Sequence, residues 1–229
     1  MKTVGIIGGL GPETTAKFYL RLISACLAKN KIARPPILTW NVPIPLQIEE
    51  EFLLNSNGEN KYKPYLIDAA KRLEKAGADF IVIPCNSVHS QINQIKKAVN
   101  VPVLNIIEET VKHLKLNKVT DIGILATSVT IKKQLFEKKL IENGINVHKP
   151  DKKYQKIINR IINNLVQAKQ DKNDRKGLLE IMEKFSGKNI RTILLACTDL
   201  QLIIPKLRNV QIIDTLEVLT YATAREILA

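Results

Sequence analysis

The sequence predicts an α/β protein of two similar α/β sandwich domains with mostly parallel sheets, related by a pseudo-twofold duplication and facing one shared cleft. Three observations predict it. Short runs of Ile, Val and Leu alternate with helical patterns along the whole chain. Three segments recur in order, TVGIIGGLG as TDIGILATS, DFIVIPCNSVH as RTILLACTDLQ, and VPVLNIIEET as VQIIDTLEVL. Each half also places a cysteine, Cys85 or Cys197, directly after an apolar run, at the strand end where open α/β sheets bind ligands. Gly5 to Cys85 is 80 residues and Gly123 to Cys197 is 74, so spacing agrees with order.

Taken in sequence, Thr3–Gly8 reads as a buried first strand. Gly8-Gly9-Leu10-Gly11 makes a tight turn, and Pro12 opens a helix to about Lys29. Arg34-Pro35-Pro36 breaks the chain before a strand at Ile37–Trp40, and Pro43 and Pro45 make Asn41–Gln47 a loop. Asn55–Lys63 is polar and is expected to be a flexible segment able to cap the cleft. Pro64 then opens a helix to Ala76, which Gly77 stops. A strand at 80–83, a helix at 87–99, a strand at 101–104 and a helix at 106–116 complete the first half. In the second, Ile122–Ala126 is a strand, and Thr127-Ser128 caps a helix that Gly144 ends. A short strand near Val147 follows, then helices near 154–168 and 174–186, a strand at 192–196, the segment Leu200–Leu207, a strand at 210–213 and a last helix at 215–228.

Composition narrows the function classes. With 229 residues, 45% of them apolar and only 5% aromatic, the chain has an Ile/Leu/Val core and no long disordered stretch. The net charge of +13 is densest in residues 112–191, with 19 Lys and Arg against 8 Asp and Glu. Those charges are spread over several helices, and no zinc finger, RNP motif or Arg-rich tract accompanies them, so no nucleic-acid partner is expected. A basic field could instead draw small anions to a cleft. Cys26, Cys85 and Cys197 are odd in number and show no CxxC spacing, so neither a disulfide framework nor a zinc site is expected. The start MKTVGIIGGLG lacks the apolar core of a signal peptide, and no run of 18 apolar residues occurs. The expectation is a soluble, cytoplasmic protein with reduced thiols and no membrane partner.

The two matched thiols carry the chemistry. Cys26 lies within an amphipathic helix and reads as a small hydrophobe. Cys85 and Cys197 each precede a hydrogen-bonding residue, Asn86 or Thr198, and sit where a helix begins, a position expected to lower a thiol's pKa. Disulfide exchange fits poorly with cysteines 112 residues apart. Proton transfer at a stereocentre fits better: one thiolate removes a proton from one face of a carbon and the opposite thiol protonates the other face. Charge developing on a substrate carboxylate needs donors, and Gly8–Gly11, Asn86, Ser87, Thr127, Ser128 and Thr198 are candidates. His89, four residues past Cys85, is a candidate for tuning that thiol or for satisfying backbone at a seam. Asp199 is a candidate partner for a substrate ammonium or a helix cap. The cluster GGLG is not GxGxxG, so it gives no nucleotide signature.

GGLGPETT (8–15), PCNSVH (84–89) and ACTDL (196–200) resemble the aspartate/glutamate racemase family, and within it the aspartate racemase and broader amino-acid racemase branch. That resemblance implies an isomerase independent of pyridoxal phosphate and of metals, with no cofactor. It also implies a homodimer of two-domain chains, the C-terminal helix returning to the first domain. The expected division is therefore 1–116 plus 215–229 for one domain and 117–214 for the other. Carried over by motif, Cys85 and Cys197 are the acid/base thiols, and Asn86, Ser87, Thr127 and Thr198 hold the substrate carboxylate. Gly9, Leu10 and Gly11 shape the pocket with Glu13. Three departures bear on specificity: Asp199 stands where the family usually has Glu, Gln47 where an IPDR-like segment carries Arg, and Gln167 near a position that is often basic. Losing two cations weakens selection for a second carboxylate. The expected activity is racemisation of aspartate, glutamate or a less acidic amino acid. An isomerase or racemase of another small carbonyl acid, such as maleate or a hydantoin, and a non-catalytic anion-binding relative remain as alternatives.

Overall fold

The computed structural model describes residues 1–31, 33–55 and 58–229. Two parallel sheets are present. The first has the order β2-β1-β3, from β1 (Val4–Gly8), β2 (Ile37–Asn41) and β3 (Phe80–Val82). The second has the order β5-β4-β6-β7, from β4 (Asp121–Ala126), β5 (Asn146–His148), β6 (Thr192–Ala196) and β7 (Gln211–Asp214). A single parallel bridge, Ile81 to Val103, stands in the first sheet where β7 stands in the second. The expected strand at 101–104 is thus reduced to one bridge, and with it the duplication extends to strand order.

Side-chain alternation explains how the sheets are covered. Val4, Ile6, Phe80 and Val82 of the first sheet share one core with Ile122, Ile124, Leu194 and Ala196 of the second. That core also takes the apolar faces of α1 (Pro12–Lys29), α5 (Ile106–Leu116) and α10 (Thr215–Leu228). Ile7, Ile81 and Ile83 point the other way, against α3 (Glu59–Lys75) and α4 (Ile92–Ala98). In the second sheet Leu125, Ile193 and Leu195 do the same against α8 (Lys152–Val166) and α9 (Lys172–Gly187). Both faces of β1, β3, β4 and β6 are therefore buried, which is why these strands read as continuous apolar runs, while the edge strands β2 and β5 stay partly exposed. No described helix is long and apolar enough to cross a membrane.

Several expected elements differ, each for a local reason. The helix expected at 87–99 begins as a 3-10 turn, Ser87–Gln91, before α4; the segment after Cys197 is likewise a 3-10 turn, Thr198–Leu202. The helix expected from Ser128 to Gly144 splits into α6 (Ser128–Lys132) and α7 (Glu137–Glu142), because Gln134 between them adopts φ 51. Pro64 lies inside α3 rather than at its start. Gly58, at φ 79, accepts from the N–H groups of Lys61 and Tyr62 and starts the helix earlier. The flexible segment expected over 55–63 falls partly outside the described residues, at 56 and 57, and its described remainder is mostly helical. Residues 46–55, for which the sequence reading offers no helix, form α2 (Leu46–Asn55). This helix packs against α3 of its own half and against α6 and α8 of the other.

Candidate active site

The repeat places the two thiols in one register. Ile81, Ile83 and Cys85 alternate onto the outer face of the first sheet, as Ile193, Leu195 and Cys197 do in the second. The two cysteines thus take equivalent outward positions just past their strands, and both line one internal cavity. This inner cavity has room for about one water molecule. Beside it lies an outer chamber of about 510 Å³, and Glu49, Thr127, Ile162 and Val166 line both spaces.

The halves meet around the cavity through hydroxyl groups. Ser87 Oγ lies 2.8 Å from Thr127 Oγ1, Thr198 Oγ1 donates to the Pro84 carbonyl at 3.1 Å, and Thr14 Oγ1 donates to Asp199 Oδ1 at 2.5 Å. Thr127 also caps α6, accepting from the Thr130 N–H. Asn86 has its orientation fixed by its neighbours. The Thr215 hydroxyl donates to the Leu195 carbonyl, so it accepts from Asn86 Nδ2 at 2.9 Å. Asn86 Oδ1 is left as a buried acceptor without a partner among the described residues. Gly11 has φ 91, and a Cβ there would run into Asp199 Oδ1, so only glycine lets this turn approach the carboxylate.

Electrostatics differ from the expectation drawn from helix starts. Burial pushes the Cys85 thiol up to about 12, the Asp199 carboxylate adds to this, and the N–H groups of Val88 and Ser87 offset only part. Cys197 is likewise pushed well above the usual thiol range, by burial and then by Asp199, despite the N–H groups of Asp199 and Leu200. Its Sγ lies 3.9 Å from Asp199 Oδ2. Both shifts favour the neutral thiol over the thiolate in the folded protein. Burial, then the Asp199 charge, raises Glu49 to about 7; burial followed by the nearby Glu13 charge raises Asp199 to about 6, against the pull of the Thr14 hydroxyl.

The remaining sequence candidates divide by place. Leu10, Gly11, Asn86, Ser87, Thr127, Thr198 and Asp199 line the inner cavity with the two cysteines. Gly9 does not, and its N–H donates to Thr15 Oγ1. Glu13 and Gln47 are exposed and border neither space, while Gln167 lines the outer chamber. Ser128 Oγ accepts from Asn159 Nδ2, outside the cavity. His89 is buried behind Cys85. Its Nε2 accepts from the Ile106 N–H at 3.3 Å, so Nδ1 carries the proton and donates to the Cys85 carbonyl at 2.8 Å. Burial lowers its pKa to about 4, and it holds the backbone of the cysteine turn rather than the sulfur. Cys26 is sealed in the central core. Four residues that sequence reasoning missed also line the cavity: Glu49 of α2, Tyr62 of α3, and Ile162 and Val166 of α8. The signal for the first was Pro45 ahead of apolar residues at 48 and 52, a helix start with i,i+4 spacing.

Comparison with known proteins agrees with this architecture over the whole chain. "Broad specificity amino-acid racemase RacX" of Bacillus subtilis is 30% identical over 231 residues, 99% of this chain and 98% of that protein. A solved aspartate racemase homologue from Pyrococcus horikoshii superposes with a TM-score of 0.79 at 29% identity, covering 100% of both chains. The Picrophilus torridus aspartate racemase gives 0.81 at 27% identity, covering 99% of this chain and 94% of that one. The family model for Asp/Glu/hydantoin racemases matches residues 7–223, from β1 into α10. Through that match, and through the doubled parallel sheets that carry one cysteine each, this chain belongs to the Asp/Glu/hydantoin racemase family.

Proposed function

We propose that this protein is an amino-acid racemase that uses Cys85 and Cys197 as its two acid/base groups and needs no cofactor. The observation that carries the reading is that both cysteines, one residue type at one register of two repeated sheets, line a single cavity. In the reaction, one Sγ, as thiolate, takes the α-hydrogen as a proton and becomes S–H. The electron pair left on Cα spreads into the substrate carboxylate. The opposite S–H then gives its proton to the other face of Cα, and the two sulfurs have exchanged protonation states. One C–H bond is broken, one is formed, and the reverse direction uses the same groups with roles exchanged.

The polar groups take complementary parts. The hydroxyls of Ser87 and Thr127 converge at the junction of the halves and serve the carboxylate, where charge grows in the transition state. Asn86 is better suited to the ammonium, because its Nδ2 is committed to Thr215 and its Oδ1 lacks a donor. This favours an ammonium-bearing substrate over maleate. Thr198 braces the Cys85 turn through Pro84. The same ammonium offsets the negative charge of Asp199, which helps hold both thiols up, so binding itself makes a thiolate accessible.

The test is α-proton exchange followed by NMR in D2O over a panel of L-amino acids, with wild type, Cys85→Ala and Cys197→Ala. Wild type should wash deuterium into Cα and form the D-isomer. Each variant should lose racemisation by at least about 10³-fold, the scale on which an essential acid or base acts, while one-sided exchange with a single enantiomer persists. Racemisation that survives either substitution would sink the two-thiol mechanism.

A further inference from the structure

Glu49 is a buried carboxylate, 7% exposed, to which no described residue supplies a hydrogen-bond or ion-pair partner. It borders both the inner cavity and the outer chamber, so it stands at the neck between them. The inner cavity holds a second carboxylate, Asp199, and is lined by no Lys, Arg or His. A lone buried charge is strongly disfavoured, and two in one cavity oppose each other as well. The α-ammonium of a substrate meets Asn86 Oδ1 and Asp199, which leaves Glu49 without a counter-charge.

Resting on the racemase reading above, we propose that Glu49 selects substrates whose side chain ends in a cation, α-amino acids of the lysine, ornithine or arginine class, and disfavours dicarboxylates. Leu46, Ile162 and Val166 wall the outer chamber with apolar surface suited to a methylene stem. The cation in that chamber's lining, Lys169, is exposed, donates its Nζ to Gln167 Oε1 at 2.8 Å, and does not line the inner cavity that holds the thiols. A dicarboxylate would instead set its second negative charge beside Glu49 and Asp199. The electrostatics of the site agree: burial and Asp199 hold Glu49 up, and a bound cation would bring it back down.

The experiment compares kcat/KM for α-proton exchange with L-lysine, L-ornithine, L-norleucine, L-aspartate and L-glutamate. Norleucine supplies the stem without the charge. In wild type, lysine or ornithine should exceed norleucine by about 10- to 100-fold, the range expected of a charged hydrogen bond. Glu49→Gln should shrink that ratio to within about threefold, through a raised KM for lysine rather than a lowered kcat, and Glu49→Asp should restore part of it. Faster exchange of aspartate or glutamate than of lysine in wild type would overturn the proposal, as would a ratio unchanged in Glu49→Gln. Either result, with exchange still observed, leaves the racemase reading standing. Absence of exchange with every amino acid tested, norleucine included, would remove that reading and this proposal together.

Discussion

At the scale of single residues, the site stores charge under strain. Glu49 titrates near 7 in the fold against 4.5 for the free side chain, so the folded protein binds that proton more tightly than the unfolded chain does. Its contribution to stability is therefore least unfavourable below about pH 4.5, worsens as pH rises, and is fully unfavourable above about 7. Asp199, raised from 3.8 to about 6, acts in the same direction. His89 acts in the opposite one: lowered from 6.5 to about 4, it loses stability as acid protonates the unfolded chain first. Glu49→Gln isolates one of these three groups with little change in shape. It should stabilise the empty protein at pH 8 by about 1–3 kcal/mol and by much less at pH 4.5, as read by urea melts at both pH values. An equal effect at both pH values would show that the Glu49 carboxylate is not held up by burial.

At the scale of elements, the repeat rests on two glycines as much as on two cysteines. Gly5 in β1 and Gly123 in β4 hold equivalent places at the centres of their sheets. A Cβ at Gly5 would lie 2.9 Å from Ala78 Cβ, and one at Gly123 would lie 2.9 Å from the ring of Phe185. These contacts let the segment around α3 and the end of α9 pack directly on the strands. Gly123→Ala should destabilise the protein by about 1–3 kcal/mol through overpacking, seen as a lower urea midpoint. Gly123→Ala combined with Phe185→Leu should recover part of the loss; no recovery would mean that the strand backbone, not the aromatic contact, sets the limit. Elements of this kind were legible in the sequence because strands buried on both faces read as apolar runs and because the second copy confirmed the first. The direction of the thiol shifts was not. It depends on how completely the halves close over Cys85 and Cys197, which no local pattern records. Glu49 escaped for a related reason: an acidic residue in a helix reads as solvated until a second half covers it. Gln47 drew attention by its motif, yet it faces outward on the same helix.

At the scale of the molecule, closure and charge oppose each other. Ser87–Thr127, Thr198–Pro84 and Thr14–Asp199 join the halves at the site, and the ion pairs Lys133–Glu59 at 3.0 Å and Lys139–Glu108 at 2.7 Å join them at the rim. The rim pairs are at least partly exposed and each contributes at most about 1 kcal/mol. Against them, α2 packs over the cavity with Glu49 and Asp199 buried and no Lys, Arg or His among the described residues that line it. With Glu49 raised to about 7 and Asp199 to about 6, both carboxyls favour the protonated form near pH 5.5, and at pH 8 both favour the charged form, which resists burial under α2. Amides of α2 should therefore exchange with deuterium faster at pH 8 than at pH 5.5 once intrinsic rates are divided out, and L-lysine should restore their protection at pH 8. Glu49→Gln should flatten most of the pH difference without added ligand. Equal protection of α2 at both pH values would mean that the helix stays shut regardless of charge, and that an amino acid must then reach the thiols through the outer chamber alone. A positive result assigns the buried carboxylates a second role beyond selection: their charge opposes the packing of α2, and the substrate's own positive charge relieves it.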